Sequence, residues 1–250
     1  MTKSVYVTGC LGFIGSYVTR ACLKKGWYVK GIDKMTYAAR PELLDEFNTY
    51  SNFSFHKEDI VDLQWIYECD YIINTAAESH VDNSIASSDE FLHSNVLGVH
   101  NILELMRRKK KEDMPTLLHF STDEVYGDVE EGSHSETDLL KPSNPYSATK
   151  AAADQLVLAW NRTYGLPYII VRVQQIIKLS DKNYHIYLDD GVPYAENYDE
   201  YIDLSFNRQG QDVRYSINDT KLKNLGWNPT KVFKDELSEI VNYYTENFIW

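Results

Sequence analysis

The sequence predicts an α/β fold: a doubly wound parallel sheet with helices on both faces. Three observations carry this. Six short runs rich in β-branched and aromatic residues recur at 3–8, 27–33, 52–56, 70–74, 116–121 and 167–173. Longer segments with helical apolar spacing separate them. The first run ends in the glycine array VTGCLGFIGS (Val7–Ser16), the arrangement that opens a Rossmann-type sheet.

Taken in order, the first strand (KSVYVT) leads into Gly9, Gly12 and Gly15, a G-x-x-G-x-x-G turn before a helix. Glycine permits the tight turn and lets backbone N–H groups approach a pyrophosphate on the positive helix end. The second strand (WYVKGID) closes on Asp33, eighteen residues beyond Gly15. An acid there hydrogen-bonds ribose hydroxyls and repels a 2′-phosphate, which predicts NAD rather than NADP. Lys34, next to it, is the residue that would soften that exclusion. A glycine turn and an aspartate serving only local structure remain the plainer alternative.

The clearest helix is expected over 88–111, where Phe91, Leu92, Val96, Val99, Ile102, Leu103 and Met106 share a face. It ends in Arg107, Arg108, Lys109, Lys110 and Lys111, read as cations meeting the negative end of the helix dipole rather than as an anion patch. The fifth strand runs into STDEVYG (Ser121–Gly127), at the sheet end where open parallel sheets bind ligands. A second helix follows Pro145, from about Tyr146 to Tyr164, before the sixth strand. Residues 176–206 show no period. Order returns with QDVRYSI, a helix-like NDTKLKNLGW and a final amphipathic helix over 234–248. The expected division is therefore 1–175 and 176–250.

Composition limits the function. The chain has 250 residues, with 37 acidic and 25 basic side chains and a formal charge of −12. Such a surface repels a phosphate backbone, so no nucleic-acid partner is expected. Cys10, Cys22 and Cys69 are too few and too scattered for a disulfide framework or a metal site, and fit a reducing cytoplasm. No signal-peptide core is seen, and no apolar run approaches the ~18 residues of a membrane span. A soluble cytoplasmic protein with no membrane partner is expected.

Two segments carry chemistry. Tyr146 and Lys150 are four residues apart and share a helix face. A neighbouring lysine cation lowers a phenol from its usual value of ~10, so that a phenolate can take a hydroxyl proton. In STDEVYG, Thr122 offers a hydroxyl, while Asp123 and Glu124 could divide into acid and base if their environments separate them. Each segment alone is also consistent with an ordinary helix surface or a solvated acidic turn.

Together these residues resemble the extended short-chain dehydrogenase/reductase superfamily, and within it the nucleotide-sugar 4,6-dehydratases of the dTDP-glucose 4,6-dehydratase type. The likeness spans residues 4–172 through TGCLGFIGS, GIDKMTYA, KEDI, AAESHVDNSI, SNVLGVHNILE, STDEVYG and NPYSATKAAAD. STDEVYG discriminates, because related epimerases and decarboxylases generally lack the Thr-Asp-Glu triplet. The likeness resumes at FNRQGQDVRYSINDTKLKNLGWNP.

The resemblance implies a redox-neutral dehydration of a dTDP- or UDP-linked hexose. Tyr146, assisted by Thr122 and Lys150, would deprotonate the hydroxyl at carbon 4 as hydride passes to NAD. Glu124 would remove the acidified proton on carbon 5, Asp123 would protonate the departing hydroxyl on carbon 6, and the hydride would return to carbon 6. It also implies cofactor contacts at Gly9, Gly12, Phe13, Ile14, Gly15, Asp33, Lys34, Thr36, Asp59, Ile60, Ala76, Ala77, Tyr146 and Lys150. Substrate contacts would fall at Ser79, His80, Thr122 and Arg208; no metal is implied. Helices 88–111 and 146–164 correspond to those that form a four-helix interface in similar proteins, which implies a homodimer.

The chain departs from the pattern after the sixth strand. Val173, Gln174, Gln175, Ile176 and Ile177 replace an Asn-Asn-Tyr-Gly-Pro-like turn, and Gln209 and Gln211 replace a proline and a histidine. From Arg172 the chain advances only 36 residues to Arg208, tens fewer than the family uses. The expected architecture is thus a Rossmann-type sheet with a truncated C-terminal substrate-binding region. Two other readings follow: a non-catalytic NAD-binding protein derived from such an enzyme, and an epimerase or decarboxylase.

Overall fold

The computed structural model describes residues 2–173, 210, 212, 214–228 and 230. Six parallel strands form one sheet: β1 (Ser4–Thr8), β2 (Tyr28–Asp33), β3 (Phe53–Lys57), β4 (Tyr71–Asn74), β5 (Thr116–Thr122) and β6 (Tyr168–Val173). Every strand falls within a residue of its predicted place. The order is β3-β2-β1-β4-β5-β6. The winding therefore reverses between β1 and β4, where Thr8 pairs with both Ile32 and Asn74. An open parallel sheet leaves a crevice at that reversal, beyond the C-terminal strand ends.

The helices are α1 (Phe13–Lys24), α2 (Leu43–Phe47), α3 (Val81–Ala86), α4 (Asp89–Phe91), α5 (Gly98–Arg107), α6 (Pro145–Tyr164) and α7 (Thr220–Asn224). Strand alternation sends successive side chains to opposite faces, so two cores form. Val5, Val7, Leu11, Leu23 and Phe47 build one. Tyr6, Ile72, Leu103, Met106, Leu117 and Val157 build the other, beneath α5 and α6. Each fully buried large side chain contributes roughly 1.5–3 kcal/mol over its exposed state, which sets the strand register firmly.

The long helix expected over 88–111 is three pieces. A π-helical turn, Leu92–Leu97, separates α4 from α5. The physical reason is Asn95: its Oδ1 accepts the Glu78 N–H, while its Nδ2 donates to the Glu78 carbonyl and to Thr149 Oγ1. The wider turn swings this side chain inward to clasp the segment after β4. The basic run is also placed differently, since α5 ends at Arg107 and the lysines lie beyond it; Arg107 pairs with Glu104 at 2.6 Å.

Helix α6 starts where predicted for a legible reason. Asn144 precedes Pro145 at the first helical position, and Asn144 Oδ1 accepts the Ser147 N–H while Ser147 Oγ accepts the Asn144 N–H. This reciprocal cap satisfies donors that helix starts leave open. The helix expected in NDTKLKNLGW is the short α7, and of QDVRYSI the described residues 212 and 214–216 are irregular while Ile217 forms a bridge with His134. The final helix expected at 234–248 and the aperiodic stretch 176–206 lie outside the described residues.

Candidate active site

The glycine turn sits at the crevice. Gly9 has φ +69°, and a Cβ there would stand 2.8 Å from the Ala76 backbone, so only glycine lets the ends of β1 and β4 approach. At Gly15 a Cβ would lie 1.9 Å from the Gly9 carbonyl oxygen, which forces α1 to begin directly against the turn. Phe13 and Ile14 occupy the first turn of α1 with exposed side chains, leaving their contribution to the backbone.

A groove runs from this turn along the strand ends. Its walls include nine of the residues expected from sequence: Gly9, Gly12, Asp33, Lys34, Thr36, Asp59, Ile60, Ala76 and Ala77. Asp33 is buried at one side, its Oδ2 accepting the Leu11 N–H at 3.0 Å and its Oδ1 the Met35 N–H at 2.8 Å. Each carboxylate oxygen keeps a free lone pair. Lys34 does not stand free: its Nζ donates to Ser94 Oγ at 2.9 Å and lies 3.5 Å from Asp59 Oδ2 and 3.6 Å from Glu90 Oε2.

This arrangement fits NAD by its own chemistry. A side-chain-free turn and the N–H groups at the start of α1 suit a diphosphate, and a carboxylate with spare acceptor capacity suits ribose hydroxyls. A groove bounded by carboxylates, with its lysine already paired, suits a 2′-phosphate poorly.

The second group of residues meets at the end of β5. Asp123–Tyr126 form a 3-10 turn, in which Thr122 Oγ1 donates to Asp123 Oδ1 and accepts the Glu124 N–H. Tyr146 enters from the start of α6. Its phenol is placed next to the Thr122 hydroxyl and lies in the field of Glu124 and Asp123. Ser84 Oγ accepts the Tyr146 N–H at 3.1 Å, and the Phe91 ring meets the Tyr146 ring edge-on.

Electrostatics here correct one expectation. Burial and the two carboxylates hold the Tyr146 phenol above its ordinary value, with the Thr122 hydroxyl opposing them. Lys150 does not bring it down in the free protein. Lys150 is itself enclosed, donates to the Phe120 carbonyl at 2.7 Å, and is lowered by burial to about 8. The division of the acidic pair has partial support: burial, with Glu124 adding to it, raises Asp123 to about 6.

Ser79 and His80 follow Glu78 at the head of α3; the His80 side chain is exposed and its carbonyl accepts the Ser84 N–H. Arg208 lies outside the described residues. Several neighbours went unread in sequence. Asn144 Nδ2 donates to Glu124 Oε2 at 3.2 Å. Tyr215 neighbours Asp212 and is raised by burial and by the charges of Glu124, Asp212 and Asp123. The segment carrying it is tied to the loop after β5, since Arg214 donates to the Val129 and Gly132 carbonyls and His134 N–H to that of Ser216. The Asn-Pro-x-Ser cap could have been read locally; Tyr215 had no local signal.

A doubly wound sheet with a glycine turn at its switch point, and a threonine, tyrosine and lysine at the end of β5, defines an extended short-chain dehydrogenase/reductase. The family described as GDP-mannose 4,6 dehydratase matches residues 6–177, and the chain belongs to it. A probable dTDP-glucose 4,6-dehydratase of Sinorhizobium fredii is 31% identical, over 98% of this chain and 94% of its own length. The alignment spans 328 positions against 250 residues here, so the shortening is internal. A dTDP-glucose 4,6-dehydratase from Streptomyces venezuelae, solved with NAD bound, superposes with a TM-score of 0.79 at 29% identity, covering 98% of this chain and 97% of that one. A UDP-glucuronic acid 4-epimerase from Bacillus cereus reaches 0.63 at 27% identity, over 68% of this chain and 55% of its own. No helix among the described residues is long and apolar enough to cross a membrane.

Proposed function

We propose that the chain binds NAD and dehydrates a nucleotide-linked hexose of the dTDP- or UDP-glucose type to its 4-keto-6-deoxy form. The observation that carries this reading is the convergence of Tyr146 with Thr122, Asp123 and Glu124 on one site, Tyr146 lying on the helix that Asn95 ties through Thr149 to Glu78 of the groove wall. Relatives that align end to end with this chain carry that activity in their names, which supports the same chemistry here.

When bound, NAD supplies a temporary hydride acceptor. Gly9, Gly12, Gly15 and the N–H groups of Phe13 and Ile14 would hold its diphosphate. Asp33 would take the ribose hydroxyls, Lys34, Thr36, Asp59 and Ile60 would frame the adenosine, and Ala76 and Ala77 would line the inner wall. Tyr146 takes the proton of the carbon-4 hydroxyl, with Thr122 orienting that hydroxyl and Lys150 supplying positive charge. Glu124 removes the carbon-5 proton. Asp123, whose raised value keeps a proton available near pH 6, delivers it to the leaving carbon-6 hydroxyl. Ser79, His80 and Arg208 are assigned to the sugar nucleotide, and residues 176–250 to a shortened substrate-binding region.

The test is incubation with dTDP-glucose, UDP-glucose and related sugars, with mass spectrometry for a product lighter by one water. Its absence from every sugar overturns the reading. A second reading, a non-catalytic NAD-binding protein, is favoured by the internal shortening, because lost remote binding energy lowers turnover as well as affinity. Calorimetry would support it by finding NAD binding with no affinity for any nucleotide sugar.

We also propose a homodimer in a reducing cytoplasm. The exposed Leu92, Leu97 and Tyr164 on the helical segments named above and the three buried free cysteines support this. A monomeric mass by light scattering at micromolar concentration would overturn the dimer.

A further inference from the structure

We propose that Asp154 is a positioning residue that keeps the Lys150 ammonium charged, through a buried polar chain crossing the sheet under the site. The proposal deepens the reading above, since it concerns the cation beside Tyr146. Asp154 lies one helical turn after Lys150 on α6, and both are enclosed, at 0% and 3% exposure. A buried ammonium needs a nearby negative charge or it surrenders its proton. Lys150 Nζ has the Phe120 carbonyl at 2.7 Å, which is only a dipole.

Among the described residues, the groups around Lys150 leave Asp154 alone in that role. From β5 comes His119, fully buried. Its Nδ1 faces Asn74 Nδ2 at 3.0 Å and so accepts; the ring proton therefore sits on Nε2, 3.8 Å from Asp154 Oδ1. Asn74 is oriented by Thr8, whose Oγ1 donates to Asn74 Oδ1 at 2.5 Å and accepts the Ala76 N–H. From β6 comes Arg172, whose Nε donates to Asp154 Oδ2 at 2.9 Å and whose Nη1 donates to Tyr126 Oη at 2.5 Å. Ser121, on β5, is also buried and belongs to the groups whose polarity acts on Asp154.

Thus Arg172 holds the carboxylate from β6 while the His119 ring stands 3.8 Å away on β5, and Asp154, one turn along the same buried helix face, is the negative charge next to Lys150. Burial, and after it the Lys150 charge, keeps His119 neutral, well below its ordinary value. Asp154 is the influence that raises Lys150 against the loss of solvation. Without it, Lys150 would face a neutral imidazole and an unpaired guanidinium.

The experiment is a titration of the protein labelled with 13C-lysine, following the Lys150 side-chain resonance, in parallel with the pH profile of product formation. The wild-type midpoint is expected near 8. In Asp154→Asn it should fall by at least one pH unit, a tenfold change in proton affinity, and the alkaline limb of kcat should move with it. Tyr126→Phe, which loosens Arg172 but leaves the carboxylate, should lower Tm and leave the midpoint in place. Should Asp154→Asn fail to fold, Arg172→Gln serves: removing the competing cation should raise the midpoint. An unmoved midpoint in Asp154→Asn, or a lowered one in Arg172→Gln, overturns the proposal. Because the titration needs no substrate, it decides this point even if the wild type dehydrates nothing.

Discussion

Asn144 holds Glu124 with the same amide that caps the helix of Tyr146. Its Oδ1 accepts the Ser147 N–H at 2.9 Å, while its Nδ2 donates to Glu124 Oε2 at 3.2 Å. One side chain therefore fixes the start of α6 and the position of the carboxylate assigned to carbon 5.

Two substitutions separate those duties. Asn144→Ala should cost about 1 kcal/mol of stability from the lost cap, and product formation should fall with it. Asn144→Asp keeps the cap acceptor but sets a carboxylate against Glu124. Stability by urea denaturation should change little, while kcat at neutral pH should drop at least tenfold. Equal kcat in Asn144→Asp and wild type would refute the role given to this contact.

Asp123 makes stability depend on pH in a direction opposite to a salt-bridged acid. Burial, then the Glu124 charge, lifts it from its usual value near 4 to about 6 in the folded chain. The unfolded chain ionises first as pH rises. Stability tied to Asp123 is complete below pH 4 and is lost between pH 4 and 6, at most ~3 kcal/mol for two units. Asp123→Asn should match wild type at pH 4 and exceed it at pH 7.5 by ~1–2 kcal/mol, with product formation abolished. Urea midpoints at the two pH values check this.

Asp33 is a structural acceptor as well as a proposed ribose contact. In Asp33→Asn, one of the N–H groups of Leu11 and Met35 would face an amide nitrogen instead of an oxygen, costing about 1–3 kcal/mol. The Kd for NAD by calorimetry should rise at least tenfold, and the preference for NAD over NADP should narrow. An unchanged NAD/NADP ratio would contradict the assignment.

The glycines of the turn should not be equivalent. A Cβ at Gly15 meets the Gly9 carbonyl oxygen at 1.9 Å, backbone that cannot move aside, whereas at Gly12 it meets the same atom at 3.3 Å. Gly15→Ala should destabilise the fold by more than ~2 kcal/mol and abolish NAD binding. Gly12→Ala should fold and bind NAD measurably more weakly. Thermal melts and calorimetry on both variants would reveal the order.

Much of this was legible locally. The six strands are runs whose every residue carries the signal, and Gly9, Gly15 and Asp33 announce themselves because turn geometry and strand-end position are local properties. The interrupted helix was not legible, because the π-helical turn exists to bring Asn95 to Glu78, a partner seventeen residues earlier. The proton affinities of Tyr146 and Lys150 were misread for a related reason. Spacing puts them on one face, but enclosure by β5, α3 and the Phe91 ring sets the cost of charging them.

The sequence by itself determined the parallel sheet, its phosphate-binding turn and the residue types able to move protons, since periodicity and short motifs act within a few residues. Only the tertiary structure decided how strongly each of those groups holds its proton and which distant partners fix it. The pairing of Arg172 with Asp154, of Asn74 with His119 and of Asn144 with Glu124 depends on strands and segments meeting in space. Burial, unlike helical or strand period, is a property of the assembled chain and leaves no mark at the residue it acts on.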